Sequence, residues 1–75
     1  MEEKIIEILK EVLEIDDVTG ETSQENCPVW DSLHHLNIAV ALEGEFGLDL
    51  EPEEIARMKS VKDIVRILSE KRQLK

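Results

Sequence analysis

Asp31-Ser32-Leu33-His34-His35 gathers the side chains of this sequence best suited to covalent chemistry. Ser32 and His35 are three apart and would share a helix face, so Ser32 as nucleophile, His35 as base and Asp31 as orienter is one reading. Neighbours on a single helix seldom converge in that way, and no glycine-rich turn or second donor segment supplies an oxyanion hole. A metal held by His34, His35 and Cys27 is another reading, but adjacent helical histidines diverge by about 100° and do not chelate as an i, i+4 pair does. Exposed polar histidines and a small apolar filler at Cys27 account for the same residues. A serine just before an apolar helical stripe is most often a plain cap. Asp31 can take that role instead, leaving Ser32 to project from the first turn, where the positive end of the helix stabilises an attached phosphate.

The elements that must position these residues are helices. Apolar residues recur at helical spacing in three places. From Glu3 to Ile15 the stripe is Ile5, Ile8, Leu9, Val12 and Leu13. From Ser32 to Phe46 it is Ile38, Leu42 and Phe46, with Leu36, Ala39 and Val40 alongside. From Val61 to Arg72 it is Val61, Ile64, Val65 and Leu68. Gly47 stops the second helix, and Pro52 with Glu53 and Glu54 starts a short one that ends near Met58-Lys59. Ser60 and Asp63 resemble a capping box for the last helix, whose negative end suits Lys71, Arg72 and Lys75. The fold expected is all-α: a small four-helix bundle of three main helices plus one short helix before the last, with a long first loop. That loop, Asp16 to Trp30, exceeds the usual length of about 4–6 residues and must be tied down. Val18, Val29 and Trp30 are its expected anchors, with Gly20 and Pro28 turning the chain. Asp16, Asp17 and Gly20 do not make a calcium loop, because Gly20 at the sixth position would put Ile15 at the first.

Composition narrows the function. The 75 residues are expected to form one domain, 1–75, with little volume for a deep walled pocket. Cys27 is alone, so no internal disulfide forms and a reducing cytoplasm is the expected setting. Met1-Glu2-Glu3 is unlike a basic signal-peptide start, and the apolar run Ile38 to Leu42 is too short to span a bilayer. Net charge is −9, unevenly spread: the first 54 residues hold 16 acids against Lys4 and Lys10, while the last 21 hold seven bases against Asp63 and Glu70. Such a surface repels nucleic acid and anionic lipid and steers toward basic patches on proteins.

Asp31-Ser32-Leu33, the helix Leu36 to Phe46 with its ending Ala41-Leu42-Glu43-Gly44-Glu45-Phe46-Gly47, the following Leu48-Asp49-Leu50-Glu51-Pro52-Glu53-Glu54 and the closing Ser60-Val61-Lys62-Asp63-Ile64-Val65 resemble an acyl carrier protein across essentially the whole chain. The resemblance implies a non-catalytic carrier bearing 4'-phosphopantetheine on Ser32, installed by a phosphopantetheinyl transferase from coenzyme A with magnesium. The arm's thiol would hold acyl groups as thioesters for enzymes of fatty acid, lipid or polyketide-type biosynthesis. It implies a monomer that docks through Asp31, Leu33, Glu43, Glu51, Glu53 and Glu54 onto acyl-transferring or synthase enzymes with basic patches. Trp30 would lie at the root of the arm or pack under the loop; Leu36, Ile55 and Met58 would line an acyl channel or close the core. His34 and Asn37 stand where housekeeping fatty-acid carriers usually have acids, and Trp30 where they have a small residue, which points to a specialised or accessory carrier. An aminoacyl or peptidyl carrier, and an unmodified acidic helical interaction module, are the alternatives.

Overall fold

The apolar spacing resolves into four helices in the computed structural model, which describes residues 2–73: α1 (Glu2–Leu13), α2 (Ser32–Phe46), α3 (Pro52–Arg57) and α4 (Val61–Gln73). Helix α1 packs against both α2 and α4. Ile5 and Leu9 of α1, Ile38 and Leu42 of α2, and Ile64 and Leu68 of α4 are wholly buried and form the centre of one apolar cluster. Each is the kind of side chain whose full burial contributes roughly 1.5–3 kcal/mol.

Helix boundaries follow from local chemistry. Helix α1 stops at Leu13, short of the expected Ile15, because Glu14 turns into the left-handed region (φ 58°) and the Ile15 N–H closes back onto the Lys10 carbonyl at 3.3 Å. Helix α2 has the expected limits. Asp31 caps its start in extended geometry, and Gly47 (φ 63°) ends it, donating its N–H to the Glu43 carbonyl at 2.9 Å. Pro52 opens α3, and the Glu54 carboxylate reaches back to the Glu51 N–H at 2.7 Å. Ser60 caps α4 by accepting the Asp63 N–H at 3.0 Å. The Asp63 carboxylate takes Arg66 at 3.1 Å, so the side chain that would complete a capping box serves an ion pair. Lys71 reaches Glu54 rather than lying along the end of α4; the Arg72 side chain and Lys75 lie outside the described residues.

Three expectations about facing residues need correction. In α2, Leu36 and Val40 are exposed (57% and 66%) and do not flank the core. The inward row is Ile38 and Leu42 with Ala39; at 100° per residue Leu36 and Val40 fall on the opposite side. In α4 it is Ile67 that joins Val61, Ile64 and Leu68 inside, with Val65 only half-buried. In the loop, Val18, Cys27 and Trp30 are buried but Val29 is 38% exposed. The Trp30 N–H bonds the Cys27 carbonyl at 3.0 Å, which puts Pro28 and Val29 on the outer corner of a turn.

The long loop is moored at its middle. Val61 N–H donates to Thr22 O and Gln24 N–H to Lys59 O, both at 2.9 Å, pairing Ser23 with Ser60 in one antiparallel bridge at the α3–α4 junction. Around it, Thr22 Oγ1 accepts the Thr19 N–H and Asn26 Oδ1 accepts the Ser23 N–H, each at 2.9 Å. These bonds offset the ordering entropy of a segment with few apolar anchors. No helix among the described residues is long and apolar enough to cross a membrane.

Candidate functional site

Ser32 is the first residue of α2 and is exposed. Its position follows from Asp31, whose Oδ1 accepts both the His34 backbone N–H and the His34 ring Nδ1 at 2.9 Å. A carboxylate only accepts, so Nδ1 of His34 carries its hydrogen. The backbone N–H of His34, and then its ring, hold the Asp31 carboxyl below the usual carboxylate range. The Asp31 N–H bonds Val29 O at 2.8 Å, fixing the direction from which the chain enters the helix. With the cap supplied by Asp31, Ser32 stands at the helix's positive end facing solvent, a position whose chemistry fits an oxygen-linked phosphate.

Beneath this turn lies a relay that the sequence does not announce. Trp30 is 3% exposed, and its indole N–H donates to His35 Nδ1 at 3.0 Å. His35 Nε2 meets the Ile55 carbonyl at 2.6 Å. Loop, α2 and α3 are thus joined through one imidazole. His34 and His35 are both half-buried, which corrects their reading as exposed polar residues. Each of these ring contacts is spent on structure: His34 Nδ1 on Asp31, and both His35 nitrogens on Trp30 and Ile55. His35 is therefore not held for proton abstraction from Ser32. Among the described residues no three His, Cys, Asp or Glu side chains are grouped to hold a metal ion, and Cys27 is buried.

The residues around the site divide by exposure. Leu33 (67%), Leu36 and Val40 form an exposed apolar row, within about 60° of one another around α2. By type Val40 resembles a core residue; its spacing of four from Leu36 and seven from Leu33 is the signal that sets it on this row. Glu51 and Glu53 are exposed at the start of α3. Glu43 and Glu54 are already engaged: Glu43 Oε2 accepts the Leu50 N–H at 2.9 Å, and Glu54 takes Lys71 Nζ at 2.8 Å. The Lys71 bond, followed by the Glu51 N–H, holds the Glu54 carboxyl below its ordinary range. Ile55 is half-buried against the core and Met58 is wholly buried, a core filler; Leu36, being exposed, does not close the core.

Residues 3–68 match the family described as the phosphopantetheine attachment site. An acyl carrier protein of Petrotoga mobilis is 38% identical over 71 residues, covering 92% of this chain and 84% of that relative. One from Coprothermobacter proteolyticus is 33% identical over 72 residues, covering 88% of each. Among solved structures, the solution NMR structure of the holo acyl carrier protein from Geobacter metallireducens superposes with a TM-score of 0.82 at 28% identity, covering 97% of this chain and 88% of that one.

Proposed function

The chain belongs to the phosphopantetheine-attachment family of acyl carrier proteins, and on that premise we propose that Ser32 is the attachment point of the 4'-phosphopantetheine arm. The observation that carries the proposal is the division of labour at the start of α2: Asp31 takes the cap, so Ser32 is exposed at the first helical position. When bound, the arm supplies a thiol that holds an acyl group as a thioester.

The chain's own part is presentation. Asp31 and the buried Trp30 fix the backbone on which Ser32 rides, and the N-terminal end of α2 offers partial positive charge to an ester phosphate. Leu33, Leu36 and Val40 provide an apolar strip along the same helix, and Asp31, Glu51 and Glu53 provide negative charge around it; Glu43 and Glu54 contribute while also serving internal bonds. A strip of this kind suits brief docking onto acyl-transferring and synthase enzymes with basic patches. Tethering raises the concentration of cargo at whichever active site is engaged. In this reading residues 1–75 are one carrier domain, a monomer of the cytoplasm and the substrate of a phosphopantetheinyl transferase, with nucleic acid and membrane insertion disfavoured by its acidity.

Intact mass before and after incubation with coenzyme A, magnesium and a broad-specificity transferase tests the assignment. One phosphopantetheine increment on the natural chain and none on Ser32→Ala is expected. An increment that persists in Ser32→Ala, or fails to arise on folded natural chain with several transferases, would overturn it.

A further inference from the structure

We propose that His35 is the positioning residue of this site: it ties Trp30 and α3 to the first turn of α2 behind Ser32, and it releases Trp30 when its ring takes a second proton. The positioning half rests on the reading of Ser32 given above; the tie to Trp30 does not. An indole N–H only donates, so the imidazole nitrogen it meets must be the unprotonated one. A carbonyl only accepts, so the nitrogen at Ile55 must carry the hydrogen. Both ends demand the same neutral tautomer. A ring protonated on both nitrogens keeps its bond to Ile55 but sets N–H against N–H at Trp30. Trp30 is buried, and water does not readily replace the lost acceptor. The link therefore breaks at its loop end, two residues before Ser32.

The charged neighbours leave this break unrepaired. At the start of α2, the capping Asp31 and His34 are bonded to each other. On the loop, Cys27 lies buried and its carbonyl receives the Trp30 backbone N–H. On α3, Glu51 and Glu53 are exposed, and Glu54 is held by Lys71 of α4 with Arg57 adding to its electrostatics. Glu54 stays ionised through the neutral range in which a histidine ordinarily titrates. The Glu54–Lys71 clasp thus remains closed while the Trp30 tie opens.

Trp30 is the sole tryptophan, so its fluorescence reports the tie directly. On the unmodified chain, a sigmoidal change in indole emission is expected as the solution is acidified. It should persist in His34→Gln and vanish in His35→Gln, whose amide can accept from Trp30 and donate to Ile55 without titrating. A flat trace in the natural chain, or one abolished by His34→Gln alone, overturns the proposal. The second arm is the rate of transferase-catalysed mass gain, divided at each pH by that of His35→Gln so that the enzyme's own pH profile cancels. That ratio should fall about fivefold across the same acidification, the equivalent of one buried hydrogen bond. A ratio constant with pH overturns the positioning role even where the indole responds. If His35→Gln does not fold, Trp30→Phe replaces it: lacking the donor, it should lose the acid-side fall that the natural chain shows. No mass gain on the natural chain at any pH fails the Ser32 reading and the positioning role together, and the indole titration still decides the tie.

Discussion

Two parts of this molecule are held together by different physics. Helices α1, α2 and α4 share wholly buried aliphatic side chains, while α3 contributes no buried residue from its own span. What fastens α3 is a flanking apolar residue at each end, Leu50 and Met58, with the His35–Ile55 bond and the Glu54–Lys71 pair between them. Apolar burial carries no charge to screen or titrate, whereas an ion pair is weakened by salt. The bundle therefore supplies stability, while α3 hangs on a few polar bonds and its flanking residues.

The contrast breaks most visibly in the core. Leu42→Ala should lower the unfolding free energy by about 2–5 kcal/mol, measured by urea denaturation, which for so small a domain would unfold much of the population. Phe46→Ala, half-buried at the end of the same row, should cost distinctly less. A comparable loss at both positions would mean that burial does not grade stability along α2.

The glycines give an intermediate effect of opposite sign. Gly47→Ala should destabilise by about 1 kcal/mol, because φ 63° is uncomfortable for an L side chain although open space surrounds it. Gly44→Ala, inside α2 with nothing near its added methyl, should stabilise by roughly 0.5–1 kcal/mol. Thermal melts of the two variants, moving in opposite directions, would separate backbone conformation from packing.

On the α3 side the global effects are small and the local ones sharper. Lys71→Met should cost at most about 1 kcal/mol overall, yet raise amide exchange in α3 more than in α1. The Glu54 carboxyl is lowered in the folded chain, so its contribution is present above the ordinary glutamate range and is lost as pH falls through the folded value. Stability profiles of natural chain and Glu54→Gln should accordingly converge only as pH falls below the ordinary glutamate range. The least effect is expected at Ser32→Ala, within about 0.5 kcal/mol in the same denaturation assay, since Asp31 and not Ser32 caps the helix.

Much of this arrangement was legible in the sequence where a signal is local. Helical spacing, the stop at Gly47, the start at Pro52 and the separation of cap from exposed serine at Asp31 and Ser32 all depend on residues within a turn of one another. The features that escaped depend on distant partners. Leu36 and Val29 are exceptions: at 100° per residue the row through Ile38 and Leu42 already turns Leu36 outward, and a local turn exposes Val29. His35 looks like a surface histidine until Ile55, twenty positions away, is brought to it. Ending α1 on a left-handed Glu14 had no advertisement, because glycine is the residue that usually marks such a stop.

The Ser23–Ser60 bridge also has a bearing on the order of assembly. It joins points of high sequence separation with only two backbone hydrogen bonds as recompense, and closing so long an excursion is entropically unrewarded until the helices between have docked. The Ser23–Ser60 closure is thus expected to form late, after the bundle; a Ser60→Pro change should then raise the unfolding rate more than it lowers the folding rate.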